Sequence, residues 1–206
     1  QLLDQSKGSQ TAAATKITSL QNNNTQLKQK QKETNAAALA AAVQKAASQN
    51  PTQPVAGSNP DPGAGSARQV SHSPAIGISQ NSQCGGGYPY CGSAQDSMVD
   101  PWGLYNRECV SYAAYKVNST YGNMPYMGGH GNASQWPGYL AGRVPEGPTP
   151  KVGSVAIMNI GYYGHAAWVE AVNGGWVTVS QYNWDEAGHY STMTVPASLF
   201  SVYIYF

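Results

Sequence analysis

The sequence predicts an α+β domain carried behind a helical segment and a linker. Three observations predict it. All 14 tyrosines and all 5 tryptophans of the 206-residue chain lie after residue 82, so only the last 124 residues can build an aromatic-rich core. Within that part, one helical pattern is followed by a run of alternating strands, the order expected for helices packed on an antiparallel sheet. Before it, large side chains are scarce and the text is dominated by helix formers, then by Pro, Gly, Ser and Asn.

Residues 15–48 hold strong helix formers and a thin heptad seam, with Ile17, Asn24, Gln31 and Ala38 against Leu20, Leu27, Thr34 and Ala41. Few of these are large and apolar, so an independent coiled coil is weakly supported. A helical partner or self-association through residues 15–48 stays open, and the helical pattern is expected to continue before Gln1. The longest apolar run, "AAALAAAV" at 36–43, is far shorter than a membrane span, and no integral membrane segment is expected in this chain. Residues 50–82 lack the apolar surface to fold and are expected to be a disordered linker. Residues 1–49, 50–82 and 83–206 are thus the expected helical segment, linker and folded domain.

Charge follows the same division. Residues 1–50 carry six lysines against Asp4 and Glu33, whereas residues 83–206 carry four basic and seven acidic residues. A weakly acidic domain lacks the basic patch of a nucleic-acid binder, so no nucleic-acid partner is expected.

The folded part opens on Cys84 and Cys91, which bracket "GGGYPY". A disulfide is the favoured reading and implies an oxidising, extracytoplasmic setting; two free thiols in a loop are the alternative. Zinc is disfavoured because no second ligand pair follows at metal spacing. Next comes "NRECVSYAAYKV" at 106–117. Val110, Ala113, Ala114 and Val117 repeat at i, i+3, i+4 and i+7, one buried face of a helix over 106–119. Asn106 is the expected N-cap. A short helix near 133–141 carries Trp136, and strands are expected at about 153–160, 165–172, 176–183, 190–195 and 201–206.

The segment "GHAAWVEAVNGGWVTVSQYNW" (164–184) reads as a hairpin. A three-residue loop, Asn173-Gly174-Gly175, sets His165 against Asn183, Ala167 against Gln181, Val169 against Val179 and Ala171 against Val177. One face is then apolar at the turn and polar at the open end, where His165, Gln181 and Asn183 gather. A two-residue loop would set Val169 against Thr178 instead.

Cys109 is the odd thiol. A lone cysteine is commonly buried and inert. Here it falls in the first turn of a helix, where free amides and the dipole favour an anion, beside Arg107 and facing a polar hairpin end. Such a thiol is expected to lose its proton more readily than a free cysteine. The same amides could hold the oxyanion of an attacked carbonyl. His130 and His189 sit in loops and are read as surface or cleft-lining residues, and His72 carries no signal. Tyr162, Tyr163, Trp136 and Trp184 either line a groove or belong to the core and its rim.

Taken in order and spacing, "RECVSYAAYK", "PKVGSVAIM", "GHAAWVEAV" and "VSQYNW" resemble the motifs of the CHAP domain, the cysteine, histidine-dependent amidohydrolase/peptidase, over about residues 95–206. The resemblance implies a papain-like fold, with Cys109 as nucleophile and His165 as general base. Gln181 falls where the family usually has a glutamate that orients the histidine, and Asn183 on the following asparagine; either is a candidate orienter. Glu108 stands where glutamine often precedes the nucleophile, removing a side-chain oxyanion donor. Some members bind calcium through Asp-x-Asp; here Asp100-Pro101-Trp102 stands in its place, and no metal or cofactor is expected. The resemblance further implies a secreted or cell-wall-associated bacterial enzyme. Its expected partner is peptidoglycan, cut at the muramoyl–L-alanine bond or within the stem peptide or cross-bridge. A cell-wall binding module that has lost turnover and an amidase of a small soluble amide are the alternatives.

Overall fold

The computed structural model describes residues 2–49 and 77–206. The first described stretch is one long helix, α1 (Leu2–Gln49). An edge strand β1 (Gly77–Ile78) precedes helix α2 (Cys109–Tyr121). A 3-10 turn at Ala133–Gln135 leads into α3 (Trp136–Leu140). Strands β2 (Glu146–Gly147), β3 (Val155–Met158), β4 (His165–Asn173), β5 (Trp176–Tyr182), β6 (Tyr190–Pro196) and β7 (Val202–Ile204) complete the chain. They form one sheet in the order β1-β6-β5-β4-β3-β7-β2, with every pairing antiparallel. The α+β class expected from the sequence is therefore the architecture observed.

The central strands are buried on both faces. Side chains alternate across a strand, and β3 divides accordingly. Val155 and Ile157 join a core with Val110, Ala113, Ala114 and Val117 of α2, so the apolar face read from the sequence is the one that packs. Ala156 and Met158 join a second core on the opposite face, with Ala167, Val169, Val177 and Val179. Ala38, Leu39 and Ala42 of α1 pack against that second core. The sheet thus lies between the helix that begins with Cys109 and the long N-terminal helix.

Two expectations about α2 are corrected. Its N-cap is Glu108, not Asn106, and the helix starts at Cys109. Asn106 is instead fully buried in the preceding loop, where Oδ1 accepts from the Met98 amide and Nδ2 donates to the Ala94 carbonyl. A side chain already satisfying two loop groups is unavailable to cap a helix.

The hairpin keeps the expected register only at its site end; at its turn Thr178 faces Ala171, which is neither of the registers weighed from the sequence. Its turn is the two-residue Gly174–Gly175, with Asn173 paired to Trp176 and Val172 to Val177, not the three-residue loop expected. A one-residue bulge at Glu170 then restores the expected phase, and Val169 pairs with Val179 and Trp168 with Ser180. The site end of the hairpin therefore has the register that the hydrophobic pattern favoured.

Cys84 and Cys91 form a disulfide. The loop they close delivers Tyr88 into the core, where its hydroxyl meets Ser111 of α2 and accepts from the Arg107 amide. Of the expected linker 50–82, residues 50–76 lie outside the described residues. Its last part belongs to the sheet: β1 pairs with β6, and Ser82 bridges to Tyr190.

Candidate active site

Cys109 is a free, half-buried thiol at the first position of α2. The loop before it is held rigidly. Asp100 accepts from the amides of Trp102 and Leu104 and from the Ser111 hydroxyl, tying the loop to α2. Arg107 adopts a left-handed conformation at φ 63° and sends its guanidinium to the carbonyls of Gly188 and Ser93. It therefore braces two loops, where the sequence suggested a cation beside the thiol.

His165 opens β4 and is almost wholly buried. Gly164, immediately before it, has φ +69°, and a Cβ there would come within 2.7 Å of the Ser134 amide nitrogen. Only glycine admits that close approach. The ring packs edge-on against Trp184, with centroids 4.9 Å apart, and Nε2 lies 2.8 Å from Oε1 of Gln181. Gln181 is itself oriented, because its Nε2 donates to Ser191 Oγ at 3.3 Å and so turns the carbonyl oxygen toward the ring. An amide oxygen only accepts, so Nε2 of His165 carries the hydrogen and Nδ1 is the basic nitrogen.

Asn183 does not share that task. At φ 59° just beyond β5, its Nδ2 donates to Glu108 Oε2 at 2.7 Å, while its Oδ1 accepts from Gln95 and from the Gly188 amide. Of the two candidate orienters, Gln181 touches the histidine and Asn183 braces the residue before the thiol.

Cys109, His165, Asn183 and Glu108 line one cavity of about 530 Å³, with Asp96 and Glu186 along its rim. Helix α1 lines it too, through Asn24, Lys28 and Gln31. By strand alternation His165 falls on the sheet face that α1 covers, which explains how a distant segment reaches the cleft. Gln31 is buried. Its Nε2 donates to the Ile160 carbonyl and its Oε1 accepts from the Tyr163 amide. Tyr163 also donates its hydroxyl to Asn24.

This enclosure sets the electrostatics. Burial first, then the adjacent Glu108 charge, pushes the Cys109 thiol up to about 12, while the amides of Ala166 and Val110 act the other way. Burial likewise holds His165 down at about 4, opposed by its bond to Gln181. Burial first, then Asp96, raises Glu108 to about 8, with Lys28 opposing. The easily ionised thiol expected from the helix start is not what the α1-covered cleft contains. Desolvation outweighs the dipole here, because burial costs the charged form of each of these groups part of its hydration.

The remaining sequence candidates are peripheral. His130 stacks on Tyr139, and His189 pairs with Asp185 at 2.6 Å. Trp136 is fully buried core, Tyr162 is exposed, and Trp184 is the wall of the histidine pocket. His72 lies outside the described residues. The acidic rim and the docking of α1 escaped the sequence reading. The polar seam positions Asn24 and Gln31 were the one signal of that docking.

The family model of the CHAP domain matches residues 99–183. One stretch of 50 residues is 50% identical to the N-acetylmuramoyl-L-alanine amidase sle1 of Staphylococcus epidermidis, covering 23% of this chain and 15% of that protein. Another, of 85 residues, is 39% identical to the staphylococcal secretory antigen SsaA of Staphylococcus aureus, covering 40% of this chain and 30% of that protein. A solved N-acetylmuramoyl-L-alanine amidase from Staphylococcus aureus aligns at TM-score 0.44 and 27% identity, over 49% of this chain and 31% of that one. These matches span less than a third of each relative's own length.

Proposed function

We propose that this chain is a cell-wall hydrolase that cleaves an amide bond of peptidoglycan through Cys109 and His165. The observation that carries the reading is a free thiol at a helix N-terminus sharing one cavity with a histidine whose Nε2 is fixed by Gln181. The names of its relatives point to the same chemistry.

In this mechanism Nδ1 of His165 takes the thiol proton as sulfur attacks the carbonyl carbon. The amides at the start of α2 face the developing oxyanion. The imidazolium then protonates the departing amine, leaving a thioester on Cys109. Water, deprotonated by the same imidazole, hydrolyses it. Gln181 supplies no negative charge to the imidazolium, so its part is to fix ring and tautomer.

The name of the sle1 relative makes the muramoyl–L-alanine bond the first to test, with endopeptidase cleavage in the stem or cross-bridge second. The disulfide supports an extracytoplasmic site of action. A helical segment joined by a linker to the catalytic domain is the organisation we assign to the chain.

A second reading, a wall-binding module without turnover, is favoured by the raised thiol and the covering helix. Digestion of purified walls by the wild type and Cys109→Ser, with new termini identified by mass spectrometry, separates the two. The hydrolase reading expects new termini from the wild type and nearly none from the variant, with wall affinity kept. Equal digestion by both chains sinks the assignment of Cys109, and no digestion by either favours the binding module.

A further inference from the structure

The cleft holds more acidic side chains than the reaction requires. Asp96, Glu108 and Glu186 all line the cavity beside Cys109, and among the residues lining it Lys28 is the sole lysine or arginine. Its ammonium group lies 3.1 Å from Asp96 Oδ2 and 3.9 Å from Glu108 Oε1. Burial opposes the charge on Lys28, yet Glu108 and Asp96 together hold its pKa above the ordinary lysine value. Among the described residues no cluster of carboxylates, histidines or cysteines is arranged to hold a metal ion. The cation that these carboxylates do hold is an ammonium group on a long side chain.

That ammonium arrives on a segment remote in sequence, seated by specific contacts. Gln31, one turn further along α1, fills both of its hydrogen-bonding sides on the loop before His165. Gly161 in that loop makes the approach feasible, since a Cβ there would collide with the Gln31 amide. The Lys28 position is therefore fixed by the docked helix and is more than a passing surface pairing.

We propose that Asp96, Glu108 and Glu186 form a subsite for a primary ammonium group of the substrate, which Lys28 of α1 occupies as a tethered competitor. The inference rests on the reading of this cleft as the site of peptidoglycan cleavage. Peptidoglycan peptides supply that chemistry in two places, the side-chain amine of a diamino acid and a free N-terminal amine. Either amine would meet the same three carboxylates, and Lys28 must leave before it does. Acetylating the amine removes its charge, so recognition should disappear with the acetyl group.

Binding is the test, measured by calorimetry on the full chain with Cys109→Ala added throughout to stop turnover. The probes are an N-acetylated stem tetrapeptide bearing a free lysine side-chain amine, its Nε-acetyl form, and a tetrapeptide whose only amine is N-terminal. Lys28→Ala should bind the free-amine form about tenfold more tightly than the chain with Lys28 intact, the worth of two half-shielded ion pairs. Lys28→Arg should behave like the intact chain. In Lys28→Ala the Nε-acetyl form should bind roughly tenfold more weakly than the free-amine form, and adding Glu186→Gln should reduce that preference. The third probe shows which amine is the better ligand.

Equal binding of the free and acetylated peptides by Lys28→Ala, or binding of neither, overturns the subsite. No gain from Lys28→Ala overturns the competitor. Amine-selective binding, with walls left undigested by the chain that keeps Cys109, would keep the subsite and remove the hydrolase reading. Alanine is a strong helix former, so Lys28→Ala preserves α1.

Discussion

Asn183 Nδ2 donates to Glu108 Oε2 at 2.7 Å, joining the end of β5 to the residue immediately before the thiol. Two residues earlier, within β5, Gln181 holds the histidine. Two amides at the end of β5 thus serve the two halves of the site separately, and their substitutions should separate as well.

Gln181→Ala frees the imidazole to rotate and to change tautomer. Wall digestion should fall by roughly ten- to a hundredfold, the scale of a misplaced catalytic group. Gln181→Glu should restore activity or exceed the wild type, with the acidic limb of the rate profile moved to higher pH because a carboxylate supports imidazolium. Asn183→Ala should leave that limb in place and lower stability by about 1–3 kcal/mol, from unpaired buried partners and a strained left-handed residue. An unchanged pH profile in Gln181→Glu would remove the orienting role.

The buried histidine also makes stability depend on pH. Its folded pKa, about 4, lies below the ordinary 6.5, so the folded state prefers the neutral ring. The associated stability is complete above about pH 6.5 and is lost as pH falls toward 4, by roughly 3 kcal/mol in all. Glu108 and Glu186, raised to about 8 and about 7, act oppositely, since their protonation on acidification favours the folded state. The difference between wild type and His165→Gln isolates the histidine. Denaturant unfolding at pH 7.5 and pH 4 should show a larger acid loss in the wild type, and parallel losses would refute the buried neutral ring.

Cys109 should alkylate slowly in the intact chain. With the thiol pushed up to about 12, little thiolate exists near neutral pH, and the cleft is covered. Gln31→Ala removes both bonds that seat α1 beside His165. Iodoacetamide labelling at pH 7.5, followed by mass spectrometry, should accelerate in this variant. Rapid labelling of the wild type would mean that α1 does not shield the thiol in solution.

The disulfide offers a count and a stability change. Under denaturing, non-reducing conditions a single thiol per chain should react, and three would contradict the Cys84–Cys91 bond. Replacing both with alanine should cost about 2–3 kcal/mol, the chain-entropy value for so short a loop. Part of the loss should come from Tyr88, which that loop inserts among Tyr112, Tyr115 and Tyr182.

Local periodicity carried the sequence reading well where one side of an element is apolar. Val110, Ala113, Ala114 and Val117 fixed the buried face of α2, and alternation fixed which residues of β4 and β5 share a face. The errors fall where polar groups find partners far away in the chain. Asn106 looked like a cap because its loop partners, Met98 and Ala94, are indistinguishable in sequence from other loop residues. Arg107 looked like a cation for the thiol because nothing local reveals its bonds to Ser93 and Gly188. The docking of α1 left even less trace. Its contacts at the cleft run through Asn24, Lys28 and Gln31, which a hydrophobicity pattern reads as solvated surface.

Glu170, the extra residue of the bulge, has a use besides restoring phase. Its carboxylate accepts from Ser180 Oγ at 2.7 Å and pairs with Lys116 Nζ at 3.1 Å, while Ser180 meets the Tyr112 hydroxyl at 2.8 Å. Lys116 and Tyr112 belong to the helix that begins with Cys109, and Ser180 adjoins Gln181 on the strand. One inserted residue is therefore also the cross-brace between the thiol's helix and the histidine's support. Shortening this hairpin by a single residue, or grafting the cleft onto a scaffold with a regular hairpin, would remove brace and phase together. An engineered version of the cleft has to carry Glu170 with it.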